Sequence, residues 1–232
     1  MLTIIIPYRD RLEHLREFIQ SAWPNIRSII PNSRLVIVEQ DNDLKFNRGL
    51  LLNIGFREYM EDTDFFITHD VDLLPSKDII NDYYKNNDWD IMRIWNPHNR
   101  SLGGVCKMKK NIVKKINGFP NYIWGWGIED RALYYRAKHK KVTLSEWTGV
   151  SFKKHFYCLN HKSNVETYLG EKLKISNYIN EISDKDEAMD NQIKSSGISN
   201  LTCVINEKHT FTENICYLKA DFTESNYKFQ KN

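Results

Sequence analysis

The strongest constraint on the fold is the opening run Leu2-Thr3-Ile4-Ile5-Ile6, a strand-length stretch with no charged or strongly polar face. A strand that alternates apolar and polar residues covers one side of a sheet. One that is apolar throughout is buried on both sides and needs helices packed on either side of it. The rest of the first half meets that need. Leu12, Leu15, Ile19 and Ala22 recur at helical spacing up to Pro24, Leu35-Val36-Ile37-Val38 reads as a second buried strand, and residues 50–59 read as a helix. A third strand, Phe65-Phe66-Ile67, ends at His69-Asp70. Ser76 is placed to cap a helix running through Tyr84, and residues 89–94 read as a fourth strand. Strands and helices alternating over short connections predict an α/β fold, a mostly parallel sheet with right-handed crossovers. In such sheets ligands bind beyond the carboxyl ends of the strands, here residues 7–11, 39–48 and 69–72.

Residues 103–150 change character, with Gly103, Gly104, Gly118, Gly125 and Gly127 set among aromatics. A short helix is expected over 129–139. Residues 163–196 are polar, with helical spacing at Leu169, Leu173 and Ile179, and predict a helix and a mobile loop. Residues 201–205 and 215–218 read as late strands. No repeat and no linker divides the 232 residues, so a single domain is expected. A hydrophobic content of 41% excludes disorder for most of the chain, and a net charge of +3 argues against a dedicated nucleic-acid binder. No apolar run reaches the roughly 18 residues of a membrane span. The first residues read as a strand rather than a signal peptide. Cys106, Cys158, Cys203 and Cys216 are too scattered for a disulfide scaffold, so reduced thiols and a cytoplasmic location are expected.

Four groups of residues can carry chemistry. Asp70 and Asp72 straddle Val71 just past the third strand; residues two apart in an extended chain face the same way, so the pair can hold a hard divalent cation that bridges a diphosphate. A turn with two solvated acids is the alternative. In Trp124-Gly125-Trp126-Gly127-Ile128-Glu129-Asp130, indoles offer flat faces for sugar rings, and the acids after them suit a base and an orienting partner. A structural aromatic turn before an acid-capped helix is the competing reading. His155, Cys158 and His161, spaced by threes, lack a fourth ligand for a self-contained zinc site and suit better the supply of one or two ligands to an ion at Asp72. Arg9, Arg11 and Arg48 stand where strand-end phosphates would lie, or are solvated helix-start charges. His14, His98, His139 and His209 have no such company and are expected at the surface.

These segments, in this order, resemble the β-1,4-galactosyltransferase family, glycosyltransferase family 7. The resemblance is carried by residues 6–11, 46–56, 70–75 and 103–105 and, most specifically, by Ile116-Asn117-Gly118-Phe119-Pro120-Asn121-Tyr122-Ile123-Trp124-Gly125-Trp126-Gly127-Ile128-Glu129-Asp130. It runs from residue 3 to 161 and more loosely to 222. It implies a GT-A type, Rossmann-like sheet, a Mn²⁺-assisted UDP-sugar donor and inversion at the anomeric carbon. By position it implies that Pro7, Arg9, Arg11, Phe46 and Arg48 hold the uridine diphosphate. Asp70, Gly103 and Ser101 would lie at the donor and Trp126 at its phosphate and sugars. Asp72 and His161 would bind the metal, Glu129 and Trp124 the acceptor, and Asp130 would act as the base. Residues 1–107 would form the nucleotide-sugar half and 108–232 the acceptor half.

The chain departs from the family's pattern at three places. Arg131 replaces a third acid, and Cys158 stands where some members have a second metal ligand, which leaves Cys158 or His155 to supply it. Ser101 replaces a tyrosine that crowds the donor's C2 substituent in the galactose-specific animal enzymes, which implies that UDP-N-acetylgalactosamine fits beside UDP-galactose. A glycan or a glycolipid-linked sugar is the expected acceptor. No counterpart of the animal members' membrane anchor is expected. Two rival readings make other demands. A sugar-nucleotide nucleotidyltransferase would favour a glycine-rich loop after the first strand, which Pro7-Tyr8-Arg9-Asp10 lacks. A catalytically dead glycan-binding module would have lost Asp72 or Asp130, and both are present.

Overall fold

The opening apolar run becomes β1 (Leu2–Tyr8), buried along its whole length at the centre of a seven-stranded sheet. The computed structural model describes residues 1–96, 98–125, 127–146, 155–160, 169–227 and 229. Parallel pairing is confined to the middle of the sheet. There β3 (Phe65–His69), β1, β2 (Ser33–Gln40) and β9 (Ile215–Asp221) lie side by side. Antiparallel pairing closes both edges, with β6 (Val105–Lys109) and β5 (Ile91–Trp95) beyond β3, and β8 (Val204–Thr212) beyond β9. A small second sheet pairs β4 (Leu73–Pro75) with β7 (Phe156–Cys158). The late strands therefore return to the sheet of the first half and complete it.

Both faces of the sheet are covered, which is why β1 and β2 show no polar alternation. Ile5, Val36 and Val38 pack on one side with α3 (Arg48–Tyr59). Ile4, Ile6, Leu35 and Ile37 pack on the other with the segment 12–29. The approach of α3 is close: a Cβ on Gly55 would stand 2.7 Å from Ile5 Cγ2, so glycine sets the helix–sheet distance. Pro7 sits in β1 past the end of its pairing with β3, which stops at Ile5, so its missing N–H breaks no ladder on that side.

Several sequence expectations need correction. The first helix does not stop at Pro24. α1 (Leu12–Glu17) runs into a π-turn (Phe18–Ala22) and continues as α2 (Trp23–Ile29), with Pro24 in the first turn, where no intrahelical partner is lost. The Ser76-capped segment follows the same pattern, with α4 (Lys77–Ile79) entering a π-turn (Ile80–Tyr84). In α7 (Leu169–Ile182) the buried stripe is Ile175, Ile179 and Ile182, while Leu173 is 61% exposed. β8 begins at Val204 rather than near 201, and nearly all of its side chains are exposed, so no periodicity marks it.

The remaining helices are α5 (Lys110–Lys115), α6 (Glu129–His139) and α8 (Asp186–Ser195). α8 docks on α6 through Arg136 and His139. His139, expected at the surface, has Nε2 2.8 Å from Asp190 and Nδ1 3.3 Å from Asp186. The loop expected within 163–196 falls largely outside the described residues. Among the described residues, no helix is long and apolar enough to cross a membrane.

Candidate functional site

The carboxyl ends of β1 and β3, the start of α3, the 101–104 turn and the start of α6 converge on one cleft. Asn47 caps α3, accepting from the Leu50 N–H at 3.0 Å while its own amide donates to the Asn121 carbonyl at 2.7 Å. This aims Arg48, the next residue, across the cleft. Arg48 Nε donates to Asp70 Oδ1 at 2.8 Å, and Nη2 reaches the Gly104 carbonyl at 3.3 Å. Arg48 Nη1 lies 3.8 Å from Glu129 Oε1, beyond hydrogen-bond distance. Among the described residues, Arg48 Nη1 and Glu129 Oε2 are buried with no hydrogen-bond partner. Buried polar atoms without a partner are uncommon and call for an explanation, and an absent ligand is one.

The electrostatics follow from burial. Glu129 is 6% exposed, and its carboxyl is pushed up to about 7 by desolvation, with the neighbouring Asp130 adding to the effect. Burial also raises Asp70, against the pull of Arg48, while Asp70 and Glu129 keep the guanidinium charged. Helix α6 starts at Glu129 behind Ile128, whose φ of 81° puts a β-branched residue in the left-handed region. Backbone strain of this kind concentrates at functional sites. Asp130, the second residue of α6, accepts from Ser101 Oγ at 2.5 Å through Oδ2.

The β1–α1 turn contributes Arg9 and Arg11. Arg9 is committed to the loop before α3: Nη1 donates to the carbonyls of Asn42 at 3.2 Å and Leu44 at 2.5 Å, and the guanidinium lies 5.5 Å from the Phe46 ring centroid. It therefore shapes the 42–46 loop from below. Arg11 sits at the N-cap of α1, with Nη1 3.5 Å from His14 Nδ1. The Phe46 carbonyl accepts from Gly125 N at 2.8 Å, which ties this loop to the tryptophan–glycine segment.

Trp124 is not an open platform. It is 8% exposed, its ring meets Phe222 at 5.8 Å, and Nε1 donates to the Tyr227 carbonyl at 3.3 Å. This burial and the bond from its N–H tie Trp124 into the core. Trp126, its neighbour, lies outside the described residues.

Asp72 follows β3, and its carbonyl accepts from Leu159 N at 2.8 Å. Pairing of β4 with β7 places Cys158 opposite Leu73. Partial burial raises the Cys158 thiol, and the charge of Asp72 adds to it. A carboxylate beside a sulfur is a donor pair that a borderline divalent cation accepts. His161 lies outside the described residues. Among those described, no three His, Cys, Asp or Glu side chains form a metal cluster. The His155 carbonyl accepts from Ser76 N at 2.8 Å, four residues along the chain from Asp72.

One further residue belongs to this neighbourhood and escaped the sequence reading. Lys172 on α7 is close enough for Glu129 to favour its charge and Lys45 to oppose it, although burial is the larger influence and lowers its pKa. Its separation of 43 residues from Glu129 leaves no local signal. Arg131 ties α6 to α7, donating to Ser176 Oγ at 3.1 Å and to Asn180 Oδ1 at 2.6 Å.

Comparison with known proteins gives a consistent result. Residues 1–86 match the N-terminal region of glycosyl transferase group 7, and residues 88–162 match the model described as the N-terminal domain of galactosyltransferase. The chain is 33% identical over 179 residues to β-1,4-galactosyltransferase 5 of Sus scrofa, covering 73% of this chain and 45% of that protein. It is 34% identical over 158 residues to the xylosylprotein 4-β-galactosyltransferase of Caenorhabditis elegans, covering 65% of this chain and 54% of that one. The chain thus spans about half the length of these curated relatives. In structure it resembles Drosophila β-1,4-galactosyltransferase 7, solved with manganese, UDP-Gal and xylobiose, with a TM-score of 0.77 at 20% identity over 96% of this chain and 94% of that one. Staphylococcus aureus TarS, solved with UDP-GlcNAc, gives a TM-score of 0.57 at 10% identity over 83% of this chain and 70% of that one. The fold is accordingly the expected GT-A type, and the chain belongs to glycosyltransferase family 7.

Proposed function

We propose that this protein is an inverting glycosyltransferase that moves galactose, or N-acetylgalactosamine, from a UDP-sugar to a hydroxyl of a glycan or glycolipid-linked acceptor in β linkage. The observation that carries the reading is the unpartnered pair, Arg48 Nη1 and Glu129 Oε2, buried at the carboxyl ends of the strands. A sugar hydroxyl suits both at once, since it accepts from the guanidinium and donates to the carboxylate. Family membership supplies the reaction class.

Asp130 takes the proton of the acceptor hydroxyl. The acceptor oxygen then forms its bond to the anomeric carbon on the face opposite the diphosphate, and the bond from that carbon to UDP breaks. Arg48 holds the donor side, aided by Asp70 beside it, with Arg11 at the mouth and Phe46 presented by the loop that Arg9 shapes. Pro7 ends the strand from which that turn departs. Asp72 would hold a divalent ion with Cys158 or His161, and the ion would offset charge on the leaving diphosphate. The manganese in the Drosophila structure makes Mn²⁺ the ion to test first. Residues 1–107 serve the nucleotide sugar, and 108–232 serve the acceptor. Four cysteines free of disulfides agree with action in the cytoplasm.

The test is a panel of UDP-sugars with Mn²⁺, scored for slow release of UDP without acceptor and for transfer with glycan acceptors. Turnover of UDP-galactose or UDP-N-acetylgalactosamine that stops in chelator is expected. No turnover of any UDP-sugar would overturn the reading. Competition between those two donors, before and after Ser101→Tyr, tests the C2 pocket: the N-acetyl sugar should lose ground in the variant, and an unchanged ratio would refute the size argument.

A further inference from the structure

In the pocket argument, Ser101 matters only because it is small. The structure shows it engaged in something else. Ser101 is 3% exposed, and its hydroxyl donates to Asp130 Oδ2 at 2.5 Å. The same Oγ accepts from Gly103 N at 3.3 Å, which directs the hydroxyl proton to the carboxylate. The turn that carries Ser101 is itself tied to α6, with Leu102 N donating to the Asp130 carbonyl at 3.1 Å. Gly103 completes the arrangement by what it lacks: a Cβ there would stand 2.6 Å from Asp130 Oδ2. Asp130 Oδ1 accepts from Arg131 N at 2.7 Å. Among the described residues, each oxygen thus receives one donor. A carboxylate oxygen has two acceptor sites, so one remains on each for a substrate proton.

We propose that Ser101 is a positioning residue for the base, and that the 101–103 turn is a socket fixing the rotamer of the Asp130 carboxylate. The inference rests on the reading of Asp130 as the base. Its physical content is geometric. A carboxylate free to turn about its side-chain torsions spends little of its time aimed at the acceptor hydroxyl, and a misplacement of 1 Å can cost about 10²-fold in rate. Ser101 removes that freedom through a bond to the carboxylate itself. The effect therefore belongs in kcat, while binding of donor and acceptor depends on Arg48, Glu129 and the loops.

The experiment compares wild type, Ser101→Ala, Ser101→Thr, Asp130→Asn and the double variant Ser101→Ala/Asp130→Asn. With UDP-galactose and Mn²⁺, Ser101→Ala should lower kcat about 10-fold or more, with both KM values close to wild type, the signature of an interaction that serves the transition state. Ser101→Thr, which keeps the hydroxyl, should recover most of kcat. Should the added methyl group prevent folding, the double variant decides. In the Asp130→Asn background, Ser101→Ala should cost nothing further, because the group it positions is gone. The inference is overturned if Ser101→Ala turns over like wild type, if its loss lies in KM, or if the alanine costs the same factor with and without Asp130. An inactive wild type would sink the enzymatic reading and this inference with it. An active wild type, a dead Asp130→Asn and a fully active Ser101→Ala would sink this inference alone.

Discussion

At the scale of single residues, two adjacent acids at the start of α6 are set apart by what touches them. Asp130 is hydrogen-bonded through both oxygens, whereas Glu129 is buried with one oxygen unpartnered. Asp130→Asn should reduce transfer by about 10²- to 10⁴-fold, the usual contribution of a general base, while calorimetry still detects UDP-sugar binding. Near-normal turnover by the folded variant would remove the role. Glu129 leads to a different measurement. Its carboxyl titrates near 7 in the folded chain against 4.5 ordinarily, so between those values the folded state binds more protons than the unfolded one. Stability therefore falls as pH rises through that window, and the penalty is complete above 7. Glu129→Gln lacks the titration. Denaturant titrations at pH 5 and pH 8 should show the variant gaining on wild type by about 2–3 kcal/mol. A pH-independent difference between the two would show that Glu129 ionises normally.

At the scale of elements, the most deeply buried cation among the described residues joins α6 to α8. Arg136 is fully buried and donates to the Gly118 carbonyl at 2.8 Å, to Gln192 Oε1 at 3.0 Å and to the Ser196 carbonyl at 2.5 Å. Arg136→Met keeps most of the volume but leaves these acceptors unpaired, so a loss of about 3 kcal/mol or more is expected in the denaturation midpoint. A neutral result would mean that water replaces the guanidinium. Elements of this kind are the ones the sequence hides. The buried strands were legible because an unbroken apolar run has one interpretation, and α6 because its periodicity is local; α3, buried nearly all round, carries no such stripe. β6 was not, since its buried residues include Lys107, 3% exposed, whose ammonium is satisfied by the carbonyls of Tyr84 and Asn86. Within the site, Asp70, Asp72, Arg48, Glu129 and Asp130 could be picked out by residue type and place. Trp124 could not be told from a sugar platform, because a buried indole and a stacking one share the same letters. The bond from Ser101 to Asp130 spans 29 residues and is invisible to any local pattern.

At the scale of the whole molecule, family 7 membership and a seven-stranded GT-A sheet come from a chain that spans about half the length of the curated relatives it matches. The site is assembled from segments far apart in sequence, and main-chain bonds stitch those segments together. Gly125 N bonds to the Phe46 carbonyl, Leu102 N to the Asp130 carbonyl, Asp70 N to the Gly104 carbonyl and Leu159 N to the Asp72 carbonyl. No one of these loops can open without releasing a neighbour. In hydrogen-exchange terms the four amides should behave as one cooperative opening unit, with deuterium entering them at similar rates although they belong to different loops. A nucleotide held by only one loop would then slow exchange at all four, so that occupancy of the donor half is felt as rigidity at the acceptor half with no displacement of either.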